Sequence, residues 1–233
     1  MIFRYFDLLS TDISLFLAFF GAVVFALLLG IAFHEFSHAL AATVLGDQTA
    51  RNLGRLTLDP RAHLDPAGTL LLFIAGFGWG KPVPFNPYAL RNGPRKGMAM
   101  VAAAGPISNL LIASVLAVPL RFGWVTWHSP FATIAGTAGW DTADYVGLFL
   151  SAGVLLNVIL AVFNLLPLAP LDGFKVAVGL LPVELARPVA RLERHGILIL
   201  MGLFFLGPVV GINFFSWVVA PLVEGIAGGL IGV

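Results

Sequence analysis

The sequence predicts an all-α polytopic membrane protein, and three observations carry that prediction. Of its 233 residues, 59% are hydrophobic and only 11% charged, whereas a water-soluble domain carries about 25% charged residues. The charges that remain are clustered and leave long apolar stretches between them. Thirteen Lys and Arg against twelve Asp and Glu give a net charge of +1, which argues against disorder and against a nucleic-acid partner. The absence of cysteine excludes disulfides, thiolate metal sites and a cysteine nucleophile. Lipid is the expected surrounding of most of the chain.

The first apolar run, 13–46, holds a single formally charged residue, Glu35. It is about twice as long as the apolar core of a signal peptide, so it reads as a permanent helix. As one helix it would reach roughly 50 Å, against a hydrocarbon core of roughly 30 Å. It must therefore tilt, break or protrude. The run 66–80 carries Gly68, Gly76, Gly78 and Gly80 and is short for a crossing. A segment that dips in and returns fits it better. The runs 97–120 and 145–171 are each long enough to cross. The last run, 196–222, contains Pro208 and continues apolar past Pro221 to Val233, so one tilted span and a hairpin both fit it.

Basic residues choose between a returning and a crossing 66–80 segment. If it returns, eleven basic residues lie on one side: Arg51, Arg55, Arg61, Lys81, Arg91, Arg95, Lys96, Lys175, Arg187, Arg191 and Arg194. Only Arg4 and Arg121 lie on the other. If it crosses, the split is more even. The positive-inside rule selects the returning form, with the N-terminus outside and the large basic loops in the cytoplasm.

Inside the first run stands His34-Glu35-Phe36-Ser37-His38. Residues four apart share a helix face, so His34 and His38 can offer two imidazole nitrogens to one ion. Glu35 sits beside that face, placed to take a proton from a water at the ion without ligating it. With five His and four Glu in the chain, a chance match to this pattern is expected about 0.002 times. Ionisable groups inside a lipid-spanning run are expensive and usually functional. Tetrahedral zinc needs one more protein ligand and a water. Asp172, at the end of Asn164-Leu165-Leu166-Pro167-Leu168-Ala169-Pro170-Leu171-Asp172-Gly173, is the best candidate. Pro167 and Pro170 interrupt helical bonding, and Gly173 offers backbone freedom for a sharp turn. The returning topology also puts Asp172 on the same side as His38.

These residues resemble the site-2 protease family of intramembrane zinc metalloproteases. The resemblance rests on HEFSH at 34–38, AGPISN at 104–109 and NLLPLAPLDG at 164–173, and runs from about residue 21 to 179. The stretch 80–87, GKPVPFNP, is similar to small members without a PDZ domain. The resemblance implies a three-helix catalytic core, one zinc held by His34, His38 and Asp172, and Glu35 as catalytic acid/base. The expected organisation is one transmembrane metalloprotease domain over 1–233, with the core at about 13–179 and a C-terminal transmembrane region at 196–233.

Asn164 lies where the family has an asparagine that holds the substrate backbone. The proline-rich stretch 81–87 suits an extended edge, and its Val83 and Phe85 are candidate substrate-binding positions through their backbone. Asn109, with Gly105 and Pro106, reads as a close helix-packing site, and Asn157 as a helix–helix hydrogen bond. His63, His128 and His195 fall between runs and read as solvated. Two functions fit these residues: an intramembrane endopeptidase cutting a transmembrane protein substrate at the cell membrane, and a metal transporter or metal sensor using the same His and Asp groups. The second gives Glu35 no role, and no internal repeat of the kind common in transporters is visible.

Overall fold

The computed structural model describes residues 12–75, 78–131, 137, 139–211 and 213–232. The expectation for Arg4 and the N-terminal flank, and for Gly76, lies outside the described residues.

Helix α1 (Ile13–Val44) is unbroken over 32 residues. Its first N–H groups are closed by Asp12, whose carboxylate accepts from Ser14 and Leu15 at 3.0 Å each. Helix α2 covers Pro66–Ala75. Leu64 and Gly80 form an isolated antiparallel bridge, and the Lys81 N–H donates to His63 O at 2.7 Å. The two ends of the 66–80 run therefore meet, as a returning segment requires. From Lys81 to Asn86 the chain has no regular secondary structure, and Asn86, itself extended, leads into the turn Pro87–Ala89.

Helices α3 (Pro94–Arg121) and α4 (Thr142–Asn164) follow, the latter opened by a capping box between Asp141 and Asp144. With α1 they are the three described helices long and apolar enough to cross a membrane. Small residues let them approach. A Cβ on Gly30 would lie 2.7 Å from Leu160 Cδ1, and one on Gly153 would lie 2.5 Å from Leu116 Cδ1. Leu111, Val115 and Leu17 point outward and are exposed, as lipid-facing positions of spanning helices are.

Helix α5 (Asp172–Leu180) packs on the start of α3, where a Cβ on Gly179 would lie 2.4 Å from Ala99 Cβ. Arg95 donates to Leu181 O at the α5 C-terminus, where cations complement the helix dipole. After α6 (Val183–Ala190), the C-terminal run forms two helical pieces. Helix α7 (Gly196–Met201) widens into a π-helical turn, Gly202–Leu206. The chain then turns through Gly211, whose φ of 81° favours glycine. A second π turn, Phe215–Val219, leads into α8 (Ala220–Ile231). Leu200, Val219, Val223 and Ala227 join Val154, Val158 and Ala113 in one apolar core. Arg121 donates to Gly229 O at 2.8 Å, so α8 ends beside the end of α3.

His63 departs from its expectation of a solvated loop. It is fully buried, and its Nε2–H donates to Thr57 O at 2.8 Å. The polar residues around it signal a turn, and that turn is tied to the segment after Gly80 by the Lys81 N–H bond to His63 O. His128 is only partly exposed and pairs with Asp144 at 2.8 Å.

Candidate metal centre

His34 and His38 stand one turn apart on α1, with ring centroids 4.6 Å apart and each residue 7% exposed. Each ring is tied at Nδ1. The His34 Nδ1–H donates to Asn109 Oδ1 at 2.6 Å, and the His38 Nδ1–H donates to Val101 O at 2.7 Å. Both acceptors are carbonyl-type oxygens, so the protons belong on Nδ1 and each Nε2 presents a lone pair in the neutral imidazole. Both Nε2 atoms lie 3.1 Å from Asp172 Oδ2. Three lone-pair-bearing atoms, all within 4.8 Å of one another, thus converge on one point. Nothing but a cation or extra protons reconciles them there. Two imidazoles and one carboxylate, leaving a position for water, are a donor set that suits catalytic zinc.

Local structure explains the convergence. Helix α4 ends at Asn164, and the proline-containing link 165–171 turns the chain back. Gly173 is needed for space, not for the backbone freedom expected of it: its φ is not positive. A Cβ there would lie 2.2 Å from Leu165 O, so only glycine lets the first turn of α5 close on the end of α4. Gly105 does the same from α3. A Cβ on it would lie 2.5 Å from His38 Nε2 and 2.6 Å from His34 Nε2, filling the space the ligating atoms face.

Asn109 is the residue that sequence reasoning missed. It is wholly buried, and its Nδ2 donates to Gly30 O at 3.0 Å and to Asn157 Oδ1 at 2.9 Å. Those two bonds orient the amide so that its oxygen faces His34. The expectation of a plain packing role is corrected: Asn109 sets the tautomer of His34. The available signal was a lone amide in the charge-free run 97–120, three residues beyond Pro106. The helix–helix hydrogen bond expected of Asn157 is present.

The centre opens on a cavity of about 470 Å³, lined among others by Ile31, Leu72, Val83, Phe85 and Leu200. Glu35 lines it too and takes no hydrogen bond from the described residues; its Oε1 lies 3.6 Å from where a Gly80 Cβ would stand. Asn164 also faces the cavity. Its Nδ2 donates to Leu160 O at 2.9 Å, leaving Oδ1 without a partner among the described residues. The 81–86 segment is held from behind. Arg55 donates to Lys81 O and to Pro82 O, and Asp47 accepts from the Asn86 N–H at 2.7 Å. Burial pushes the Asp47 carboxyl up, but bonds from the Thr49 side chain and from the Asn86 and Thr49 N–H groups outweigh it and hold the carboxyl below its ordinary value. The N–H groups of Val83 and Phe85 pair with nothing among the described residues.

Comparison with known proteins agrees with this geometry. Residues 22–207 match peptidase family M50. "Putative zinc metalloprotease YwhC" of Bacillus subtilis is 37% identical over 185 residues, covering 78% of this chain and 79% of that protein. Two proteins named "Putative zinc metalloprotease Rip2" align over 84% of this chain and 71% of their own length. The one from Mycolicibacterium smegmatis is 30% identical, and the one from Mycobacterium tuberculosis strain H37Rv is 32% identical. No solved structure matches significantly. An HExxH pair, a distant aspartate meeting it and a match over most of the length lead to one conclusion: the chain belongs to peptidase family M50, the site-2 protease family of zinc metalloproteases.

Proposed function

We propose that the chain is an intramembrane endopeptidase that cuts a transmembrane segment of another membrane protein, the reaction of regulated intramembrane proteolysis. It forms one metalloprotease domain, with His34, His38 and Asp172 holding one zinc ion per chain. The observation that carries this reading is the placement of those three donors in a cavity also lined by Glu35, which takes no hydrogen bond from the described residues, and by Val83 and Phe85, whose N–H groups pair with nothing among the described residues. When bound, zinc polarises a carbonyl and lowers the pKa of a water towards about 7.

The remaining work falls to this chain's own residues. Glu35 takes a proton from the attacking water and delivers it to the leaving amine, a transfer that the absence of a hydrogen-bond partner among the described residues leaves it free to make. A substrate helix has its carbonyls already bonded, so it must unwind before attack. In lipid each freed backbone group costs several kcal/mol unless it is satisfied. The N–H groups of Val83 and Phe85 offer donors to an extended substrate, and Asn164 Oδ1 offers an acceptor beside the metal centre. The basic-residue count supports an orientation in the cell membrane with the N-terminus outside and the centre near the cytoplasmic face.

Purified protein in detergent, given a reporter with a single transmembrane helix, tests the reading. Wild-type protein with zinc cleaves the reporter, and Glu35→Gln keeps zinc but does not cleave. Cleavage by Glu35→Gln at the wild-type rate overturns the assignment.

A further inference from the structure

Lys175 lies one turn beyond Asp172 on α5, so the ammonium and the carboxylate share a helix face. Its Nζ is 3.9 Å from Asp172 Oδ1, the oxygen that does not face the histidines. That separation makes an ion pair but not a hydrogen bond. The three N–H donors of Lys175 therefore have no acceptor among the described residues. Its side chain is 31% exposed and lines the cavity, where it is the one Lys or Arg among the lining residues. Much of the remaining wall is apolar, including Leu27, Ile31, Leu72, Val101 and Leu200. An uncompensated charge is expensive in such a place.

Peptide hydrolysis creates one. The C–N bond breaks and a C–O bond forms with the oxygen of water; both water protons end on the released amine. A neutral amide and a water become a carboxylate and an ammonium. The carbonyl oxygen gains negative charge on the way and remains charged in the product. Glu35 and Asp172 stand in the same cavity and repel that charge. We propose that Lys175 binds this oxygen as it becomes charged and then holds the new C-terminal carboxylate, an additional catalytic residue of the site. The inference rests on the protease reading above. The competing role, holding Asp172 in place for the metal, is less well served by the geometry. The ammonium stands beyond bonding distance of Asp172, whose other oxygen already faces two imidazoles.

Two measurements on the full chain in detergent test it. The first uses Glu35→Gln protein loaded with zinc, which does not turn over. It compares two apolar peptides of one sequence, one ending in a free carboxylate and one in a carboxamide. Adding Lys175→Gln should reduce the preference for the carboxylate on the order of tenfold, while Lys175→Arg retains most of it. The second is kinetic: Lys175→Gln in otherwise wild-type protein should lower kcat on the order of a hundredfold and change KM little, with zinc content unchanged. An unchanged carboxylate preference with unchanged kcat overturns the proposal. So does loss of zinc from Lys175→Gln, which would assign the cation to Asp172. A wild-type protein that cleaves no reporter overturns only the protease reading, because the peptide preference is measured without turnover.

Discussion

Asn109 Oδ1 lies 2.6 Å from His34 Nδ1, a bond between residues 75 positions apart. It decides which ring nitrogen of His34 carries the proton and therefore which one faces Asp172. Removing it frees the ring to rotate and to adopt the other tautomer. Asn109→Ala should weaken zinc binding on the order of ten- to a hundredfold while leaving the helices formed. Zinc affinity measured with a competing chelator, beside circular dichroism, checks both halves. Unchanged affinity would return Asn109 to a packing role.

Gly105→Ala puts a methyl 2.5–2.6 Å from both ligating nitrogens. Neither ring can swing aside without breaking its Nδ1 bond. The expected outcome is loss of zinc from a protein that still assembles in detergent. Metal analysis of the purified variant decides it, and full occupancy would mean that α3 shifts to make room.

Asn164→Ala removes an acceptor that has no partner among the described residues but none of the three converging metal-donor atoms. Zinc should stay bound while cleavage slows on the order of a hundredfold, the scale of one lost positioning contact. The same logic covers the 81–86 segment. Proline at position 83 or 85 deletes an unpaired N–H and should slow cleavage without releasing zinc. Wild-type rates in all three variants would remove the strand-addition reading.

The Asp47–Asn86 tether carries a pH dependence. The Asp47 carboxyl is held below its ordinary value of 3.8, so its stabilisation is fully present above that value. It is lost as pH falls through the lowered value. The protection of the Asn86 amide proton, its exchange rate relative to the intrinsic rate at each pH, should hold down to about pH 4 and fall only below it. Loss of that protection already at pH 6 would contradict the assignment.

Orientation is testable because the chain has no cysteine. Arg55 is buried and Arg95 is tied to α5, so exposed neighbours serve as better probe sites. Cysteine at positions 51, 96 or 191 should resist a membrane-impermeant thiol reagent applied to intact cells, and cysteine at 121 should react. Labelling at 96 but not at 51 would mean that the 66–80 run crosses.

The spanning helices were legible because lipid tolerates few charges, and their spacing is written directly along the chain. His34, Glu35 and His38 were legible because i, i+4 spacing is a local property. Asp172 needed one further step, the side of the membrane on which it emerges. Asn109 was not legible as a partner of His34, because that bond exists only once α1, α3 and α4 pack. Gly173 was noticed for the wrong reason: a sequence shows that a side chain is missing but not which atoms occupy its place. His63 misled for a similar reason, since its polar neighbours signal a turn but say nothing of what covers it.

Helix α1 runs without a break from Ile13 to Val44, and that continuity makes it a measuring rod. At 1.5 Å per residue, His38 stands about 9 Å from the Val44 end and His34 about 32 Å from the Ile13 end. On the protease reading proposed above, a centre mounted on such a helix would select its target by depth. Two substrates with unrelated sequences would be cut at the same distance from the membrane surface, and lengthening a substrate's apolar segment on one side would move the cut along its sequence without moving it in space.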